Sequence, residues 1–283
     1  MRTPVLLALA GFALAAMALA AMACGSHPSE APISRSTPAE HDSPPPVGTG
    51  ASVTVASYNI NAGMSGDPAT AKVLSGLKAD IIVLQEVTSR WRRLLETLHQ
   101  TTHPHRIFHI DHRHHYGGLA VLSRFPISGA KVLRNRPGPF VAWRGVVASP
   151  LGLVQLVNVH LFPPVVWFRE RGIMQAYQDS QARHVKELES HWPAIAADIP
   201  TVIAGDFNEN RNGSAIEWLI ERGFAPAHEG MASTWRWKVR GQFEVTFQLD
   251  HLMLRGLKAR DAVVTKAGAS DHFPISARLS LVE

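Results

Sequence analysis

At five places in this sequence an apolar run stops on a side chain able to do chemistry: Asn59 in "VASYN", Glu86 in "IIVLQE", His160 in "LVNVH", Asp206 and Asn208 in "TVIAGDFN", and Asp250 in "QLD". A sixth group, Asp271 and His272 in "SDH", stands just before the last apolar run. Buried strands gain nothing by ending in carboxylates, amides and imidazoles, unless their tips converge at one sheet edge and build a pocket there. Taken singly, each tip reads as a strand reaching solvent or as a turn cap. A different site competes for attention. His109–Gly118 reads "HIDHRHHYGG", and seven of the 15 histidines lie between His99 and His115. Histidine is the commonest metal ligand, so this stretch is a rival metal centre for storage or sensing.

The elements that must carry these tips follow from periodicity. "SVTVASYNI" and "DIIVLQEV" read as strands, "GDPATAKVLSGLKA" as a helix with Asp67 as N-cap and Pro68 in its first position, and "TSRWRRLLETLH" as an amphipathic helix. "HRIFHI" and "GGLAVLSRF" are strands flanking the histidine stretch, which is then a connecting loop. "VAWRGVVAS" and "GLVQLVNVHL" pair across "PLG", and a helix covers about 171–190. "IPTVIAGDFN" is a strand, "GSAIEWLIERG" a helix with a glycine stop, and "TFQLDHLML", "AVVTKA" and "FPISARLSLV" are closing strands. Such mixed strands and helices predict an α/β or α+β domain over 51–283.

With 46% hydrophobic residues, the 283-residue chain can bury a sizeable core, and its net charge of +5 suits an anionic substrate or surface without requiring one. Residues 1–24 form a secretory signal: one arginine, a long Ala/Leu-rich run, then small residues. The single cysteine, Cys24, excludes an intramolecular disulfide, and its place resembles the lipidated cysteine of a bacterial lipoprotein signal. Ala21-Met22-Ala23 also fits ordinary cleavage, and the run is nearly long enough for an uncleaved anchor. Residues 25–50, rich in Pro, Ser and Gly, read as a disordered tether. The expectation is an exported protein, held to a membrane through Cys24 or released.

The ordered set "SYNI", "LQEV", "GGLAVLSRFPI", "NVHL", "GDFN", "LDHLML" and "SDHFPI" resembles the endonuclease/exonuclease/phosphatase superfamily, which includes DNase-I-like nucleases, abasic-site endonucleases, sphingomyelinases and inositol-polyphosphate phosphatases. The resemblance implies a four-layer sandwich, two mixed β-sheets face to face between helices, with the active site where the strand tips meet. It implies Mg²⁺, with Mn²⁺ as the alternative, on Glu86, with Asn59 as a direct or water-mediated ligand and Asp271 as a further or outer one. Hard oxygen ligands of this kind suit Mg²⁺ better than imidazoles do. It further implies in-line attack by water on phosphorus. Asp206 would orient or deprotonate that water, Asn208 would bond phosphate or water, His272 would act as acid/base, Asp250 would fix its tautomer, and His160 would donate to a phosphate oxygen.

The resemblance implies a phosphate-ester substrate, nucleic acid or phospholipid headgroup, without choosing between an exported nuclease and a sphingomyelinase-like phosphodiesterase. "FQLDHLML" lacks the Trp-Cys-Asp-Arg run of inositol phosphatases, and the disulfides usual in secreted DNase-I relatives are impossible. A non-catalytic binding lipoprotein on the same fold is the non-enzyme alternative. His115 and Tyr116 are candidate substrate contacts beside the site, and Arg144 is a third. Pro163–Phe168 reads as a buried loop or a lipid-touching lip. "STWRWKVRGQF" reads as a hairpin with one core tryptophan, or as a base-stacking surface.

Overall fold

The computed structural model describes residues 50–114, 116–134, 138–164, 172–228, 230, 232–239 and 243–282. In chain order these form β1 (Val53–Asn59), α1 (Pro68–Gly76), β2 (Ile81–Gln85), α2 (Ser89–Leu98), β3 (His105–His109), β4 (Leu119–Ser123), β5 (Ile127–Arg134), β6 (Val141–Ser149) and β7 (Gly152–His160). They continue as α3 (Ile173–His191), β8 (Thr201–Asp206), α4 (Ser214–Ile220), β9 (Ala225–Pro226), β10 (Trp235–Val239), β11 (Phe243–Phe247), β12 (Asp250–Arg255), β13 (Leu257–Val264) and β14 (Ile275–Leu281). Local signals start the first two helices, the first as expected. Asp67 accepts from the Thr70 amide at 2.7 Å ahead of Pro68, and Thr88 caps Trp91.

One sheet runs β13-β14-β1-β2-β4-β3, the other β5-β6-β7-β8-β12-β9, and β10-β11 is a separate hairpin. β1/β2 and β7/β8 are parallel, whereas β14, β4, β12 and β6 flank them antiparallel. This mixture explains the convergence of the tips. Parallel neighbours end together, so Asn59 lies opposite Gln85 and His160 opposite Asp206. Antiparallel neighbours begin where those end, so Asp250 lies opposite Asp206, and the turn into β14 brings Ser270 to Asn59.

Alternation along each strand sets the layers. Val53, Val55, Ile81, Val83, Leu156, Val202, Ala204, Leu252 and Leu254 point between the sheets into one apolar core. Ala56, Tyr58, Ile82 and Leu84 face α1 and α2, while Val157, Val159, Ile203 and Met253 face α3 and α4. The result is the four-layer α+β sandwich. On the inward faces the apolar residues give way to Ser57, Gln85 and Asn158, all fully buried, and then to Asn59, His160, Asp206 and Asp250. Asn158 spans the gap between the sheets: its Nδ2 donates to the carbonyls of Leu84 (2.9 Å) and Ala120 (3.2 Å), and its Oδ1 accepts from Gln85 Nε2 at 2.9 Å.

Two readings of strands change. "TFQLDHLML" is not one strand: β11 ends at Phe247 and β12 begins at Asp250 in another sheet. The hydroxyl of Thr234 accepts from both the Leu249 and the Asp250 amides, which turns the chain there. β5 was not anticipated, since its exposed "ISGAKVLR" carries no apolar run. Residues 1–49, with the signal, Cys24 and nearly all of the tether, and most of Pro163–Phe168 lie outside the described residues.

Candidate active site

Asp206 is the hub of the strand tips. Its Oδ1 accepts from the Asn208 amide at 2.8 Å, and its Oδ2 accepts from Asn59 Nδ2 at 3.0 Å. The same Oδ2 lies 3.5 Å from His272 Nε2 and 3.7 Å from His160 Nε2. Asn59 Nδ2 also donates to Glu86 Oε1 at 3.1 Å, so one amide cross-links two carboxylates from different sheets. Glu86 Oε2 accepts from the Ala62 amide at 2.8 Å. The backbone is bent to permit this. Glu86 (φ 60), Asn61 (φ 55) and Asn208 (φ 50) are three of the four non-glycine residues with positive φ among the described residues, a conformation that clusters at functional sites. Gly205, with φ 149, sits where a β-carbon would strike the Val159 carbonyl, so the Gly of "GDFN" lets β8 approach β7.

The two imidazoles are held in different protonation states. His272 Nδ1 donates to Asp250 Oδ2 at 2.8 Å. Burial alone would lower its pKa, but the Asp250 carboxylate and then that of Asp206 outweigh burial and raise it well above the ordinary value. His272 is therefore an imidazolium with an Nε2–H aimed at the hub. His160 Nδ1 donates to the Tyr116 carbonyl at 3.0 Å, and burial lowers its pKa against the pull of Glu86. The neutral His160 then presents a bare Nε2 lone pair, an acceptor until it gains a proton. Phe140 stacks on its ring, centroids 4.8 Å apart, and meets His114 edge-on. Burial raises Asp206 to about 6, and raises Glu86 as well.

Charge balance at this centre calls for a cation. Glu86, Asp206 and Asp250 are carboxyl groups, and Asp271 adds its field to Glu86, whereas among the described residues the imidazoles of His160 and His272 are the bases within ion-pair distance of them. Asp250 Oδ1 is buried and has no hydrogen-bond partner. Unbalanced buried charge of this size is costly unless an ion compensates it. Asp206, Asp250 and His272 bring ligand atoms within 4.8 Å of one another. That group and the oxygens of Glu86 are the donors able to hold a divalent ion; Glu86 is free of the strong imidazolium pairing that already occupies Asp250 and His272. Among the described residues no such group forms in the histidine loop. There His112 is exposed and His114 pairs with Asp111 at 3.2 Å.

The structure thus gathers Asn59, Glu86, His160, Asp206, Asn208, Asp250 and His272. Asp271 stands beside them, its Oδ1 accepting from Asn61 at 2.7 Å and its Oδ2 from Trp235 Nε1 at 3.0 Å. Asn208 Nδ2 is committed to the Leu161 carbonyl at 2.8 Å, so it ties two site loops together. Tyr116 contributes its carbonyl to His160. His115 lies outside the described residues. Arg144 is not brought to the site. Strand alternation places it with Ala142 on the face opposite Trp143, and its guanidinium donates to the Gly129 carbonyl at 3.5 Å. Sequence reasoning missed Asn61, Phe140 and Thr234 altogether. Trp235, expected as a hairpin residue or a base-stacking one, lies in the β10-β11 hairpin and its indole also reaches Asp271.

A sequence profile of the endonuclease/exonuclease/phosphatase family matches residues 56–272. The chain belongs to that family. Among solved structures, the family member from Beutenbergia cavernae is 21% identical, covering 81% of this chain and 72% of that one, with a TM-score of 0.62. ANGEL2, a 2′,3′-cyclic phosphatase bound to adenosine-2′,3′-vanadate, is 15% identical over 81% of this chain and 96% of its own, with a TM-score of 0.63. D. rerio TDP2, complexed with a single-strand DNA product, is 13% identical over 81% and 99%, with a TM-score of 0.60. No curated protein matches in sequence. These likenesses establish the fold. The buried carboxylate–imidazole cluster on this family's scaffold makes the protein a divalent-metal-dependent phosphoester hydrolase.

Proposed function

We propose that the enzyme is an exported phosphodiesterase, with Mg²⁺ or Mn²⁺ held by Glu86, with Asn59 as a direct or water-mediated ligand and Asp271 as a further or outer one. The observation that carries the reading is the hub itself. Asp206 Oδ2 faces the imidazolium of His272 on one side and the neutral His160 on the other, 3.5 and 3.7 Å away. When bound, the ion supplies positive charge to the phosphate oxygens and steadies the leaving oxygen. The chain's own groups do the rest. Asp206, with its pKa pushed up to about 6, is matched to accept a proton from water near neutral pH. His272 Nε2–H donates to the phosphoryl group as charge develops, and Asp250 holds it in the donating form. His160 Nε2 accepts a hydrogen bond at the hub, and donates to phosphate once protonated. Two relatives' ligands support a diester: one is a cyclic phosphatase with a cyclic adenosine vanadate, the other carries a DNA product. The signal-like residues 1–24 support export; among the described residues no helix is long and apolar enough to cross a membrane.

The test is turnover by the full chain, with and without Mg²⁺ or Mn²⁺, on bis(p-nitrophenyl) phosphate, p-nitrophenyl phosphate, single-stranded DNA and sphingomyelin vesicles. We expect metal-dependent hydrolysis of diesters ahead of the monoester. His272→Ala and Glu86→Ala should each remove it while the far-ultraviolet circular dichroism stays that of the native protein. Hydrolysis that survives either substitution would overturn the assignment, and a preference for the monoester would overturn the diesterase reading.

A further inference from the structure

Beside the catalytic centre lies a cleft of about 430 Å³ that the mechanism does not use. Its near wall is Ala62, whose amide donates to Glu86; the rest includes Ser65, Thr88, Arg90, Arg93, Ile110 and His112. The sequence "RWRR" sorts its cations by helix geometry. Trp91 is buried in the core, and Arg92 turns to Glu96 at 2.9 Å. Arg90 and Arg93, three apart, share the face that lines the cleft. Neither has a hydrogen-bond or ion-pair partner among the described residues. Gly66, at φ 80, makes room for Arg90: a β-carbon there would lie 2.7 Å from its Nε. One carboxylate lines the cleft, Asp111, and its oxygens are taken by the amides of Arg113 and His114 and by the His114 ring.

We propose that this cleft is a subsite for the nucleotide unit flanking the scissile phosphate, with Arg90 and Arg93 holding that unit's own phosphate. The proposal rests on the phosphodiesterase reading of the adjoining centre. Two unpaired guanidinia suit a phosphate, which they can hold bidentately. The volume is that of a small-ligand pocket rather than of a bare ion, and the hydroxyls, His112 and Ile110 offer polar and flat contacts for sugar and base. A phosphate held here would be a second one beside the scissile group, which a polynucleotide supplies and a single sphingomyelin headgroup does not. His112 thereby gives the histidine loop a part in substrate choice without a metal.

The experiment compares the full-length wild type with Arg90→Ala/Arg93→Ala and Arg90→Lys/Arg93→Lys. Both arginines are exposed, so folding is spared. On the tetranucleotide d(TpTpTpT), the alanine pair should lower kcat/KM about tenfold or more through KM, as expected for lost charge-assisted bonds, and the lysine pair should recover part of it. On bis(p-nitrophenyl) phosphate, which has one phosphate, all three should match. Equal losses on both substrates, or none on the tetranucleotide, would overturn the subsite. Binding of fluorescein-labelled d(TpTpTpT) to the His272→Ala protein, with and without the arginine pair, reads the subsite apart from chemistry. Weakened binding in a protein that hydrolyses nothing keeps the subsite and sinks the phosphodiesterase reading; unchanged binding sinks the subsite alone. Loss of binding to phosphatidylglycerol vesicles with oligonucleotide binding intact would replace it with a membrane contact.

Discussion

Replacing Asn158 with alanine tests whether the two sheets are held apart by design just behind the site. Asn158 makes three buried hydrogen bonds at 2.9–3.2 Å, two to carbonyls of the opposite sheet and one from Gln85. At about 1 kcal/mol net for each, their loss costs roughly 3 kcal/mol. Leu84 and Ala120 stay within the β2–β4 ladder, and Gln85 Nε2 keeps Ser57 Oγ at 3.3 Å, so about 1 kcal/mol for each bond is the figure used. Asn158→Asp should cost more, since it sets a carboxylate oxygen against two carbonyls. The assay is urea unfolding at pH 7.5, comparing midpoints with unchanged slopes. In a double-mutant cycle, Gln85→Met with Asn158→Leu should cost less than the sum of the two single changes, because the hydrogen bond the two side chains share is lost only once. Gln85 and Asn158 precede Glu86 and His160 by one and two residues, so kcat should fall with stability. A loss under about 1 kcal/mol for Asn158→Ala would refute the assignment of this bridge as a structural clamp.

Two further outcomes concern pH. Asp250→Asn removes the nearest charge that keeps His272 protonated; the alkaline limb of the pH–rate profile should move to lower pH, and a limb that stays put would mean another group titrates there. His99 and His191 are buried, and burial lowers each to about 4. The unfolded chain binds their protons from about pH 6.5 downward while the folded chain refuses them until about 4, so stability present above pH 6.5 is lost as pH falls, by roughly 3 kcal/mol per histidine at most. Urea midpoints between pH 7.5 and 4.5 should show this slope, and His191→Gln should flatten it in part. A flat profile in the unaltered protein would count against neutral burial of these rings.

The converging strand tips were legible because each breaks a local rule: a polar residue where an apolar strand should simply stop. The helices were legible through Asp67-Pro68 and the spacing of Trp91 and Leu95. What was hidden depends on partners far along the chain. Nothing near Asn158 says that it faces Gln85 across the gap, and nothing near Leu249 says that Thr234 will seize its amide. The position of Arg144 away from the strand tips has a local reason. Its neighbours alternate, with Trp143 inward, so the side chain of Arg144 had to point away from the gap. The histidine stretch stood out by composition alone, but imidazoles ligate only where the fold brings them to a common point, and among the described residues of this loop Asp111 takes His114 while His112 is exposed.

The order in which the strands are laid down has a consequence for timing. The second sheet draws β5 to β9 and β12 from one stretch of the chain, interrupted by the β10-β11 hairpin, whereas the first is assembled from β1 to β4 and from β13 and β14. As the polypeptide emerges, β1 waits with one edge unpaired until β14 is made. Asp271 and His272 arrive only with that closing segment. Nascent and truncated chains therefore hold Asn59, Glu86, His160, Asp206 and Asp250 without Asp271 and His272, and the cluster of strand tips is completed only in a late step.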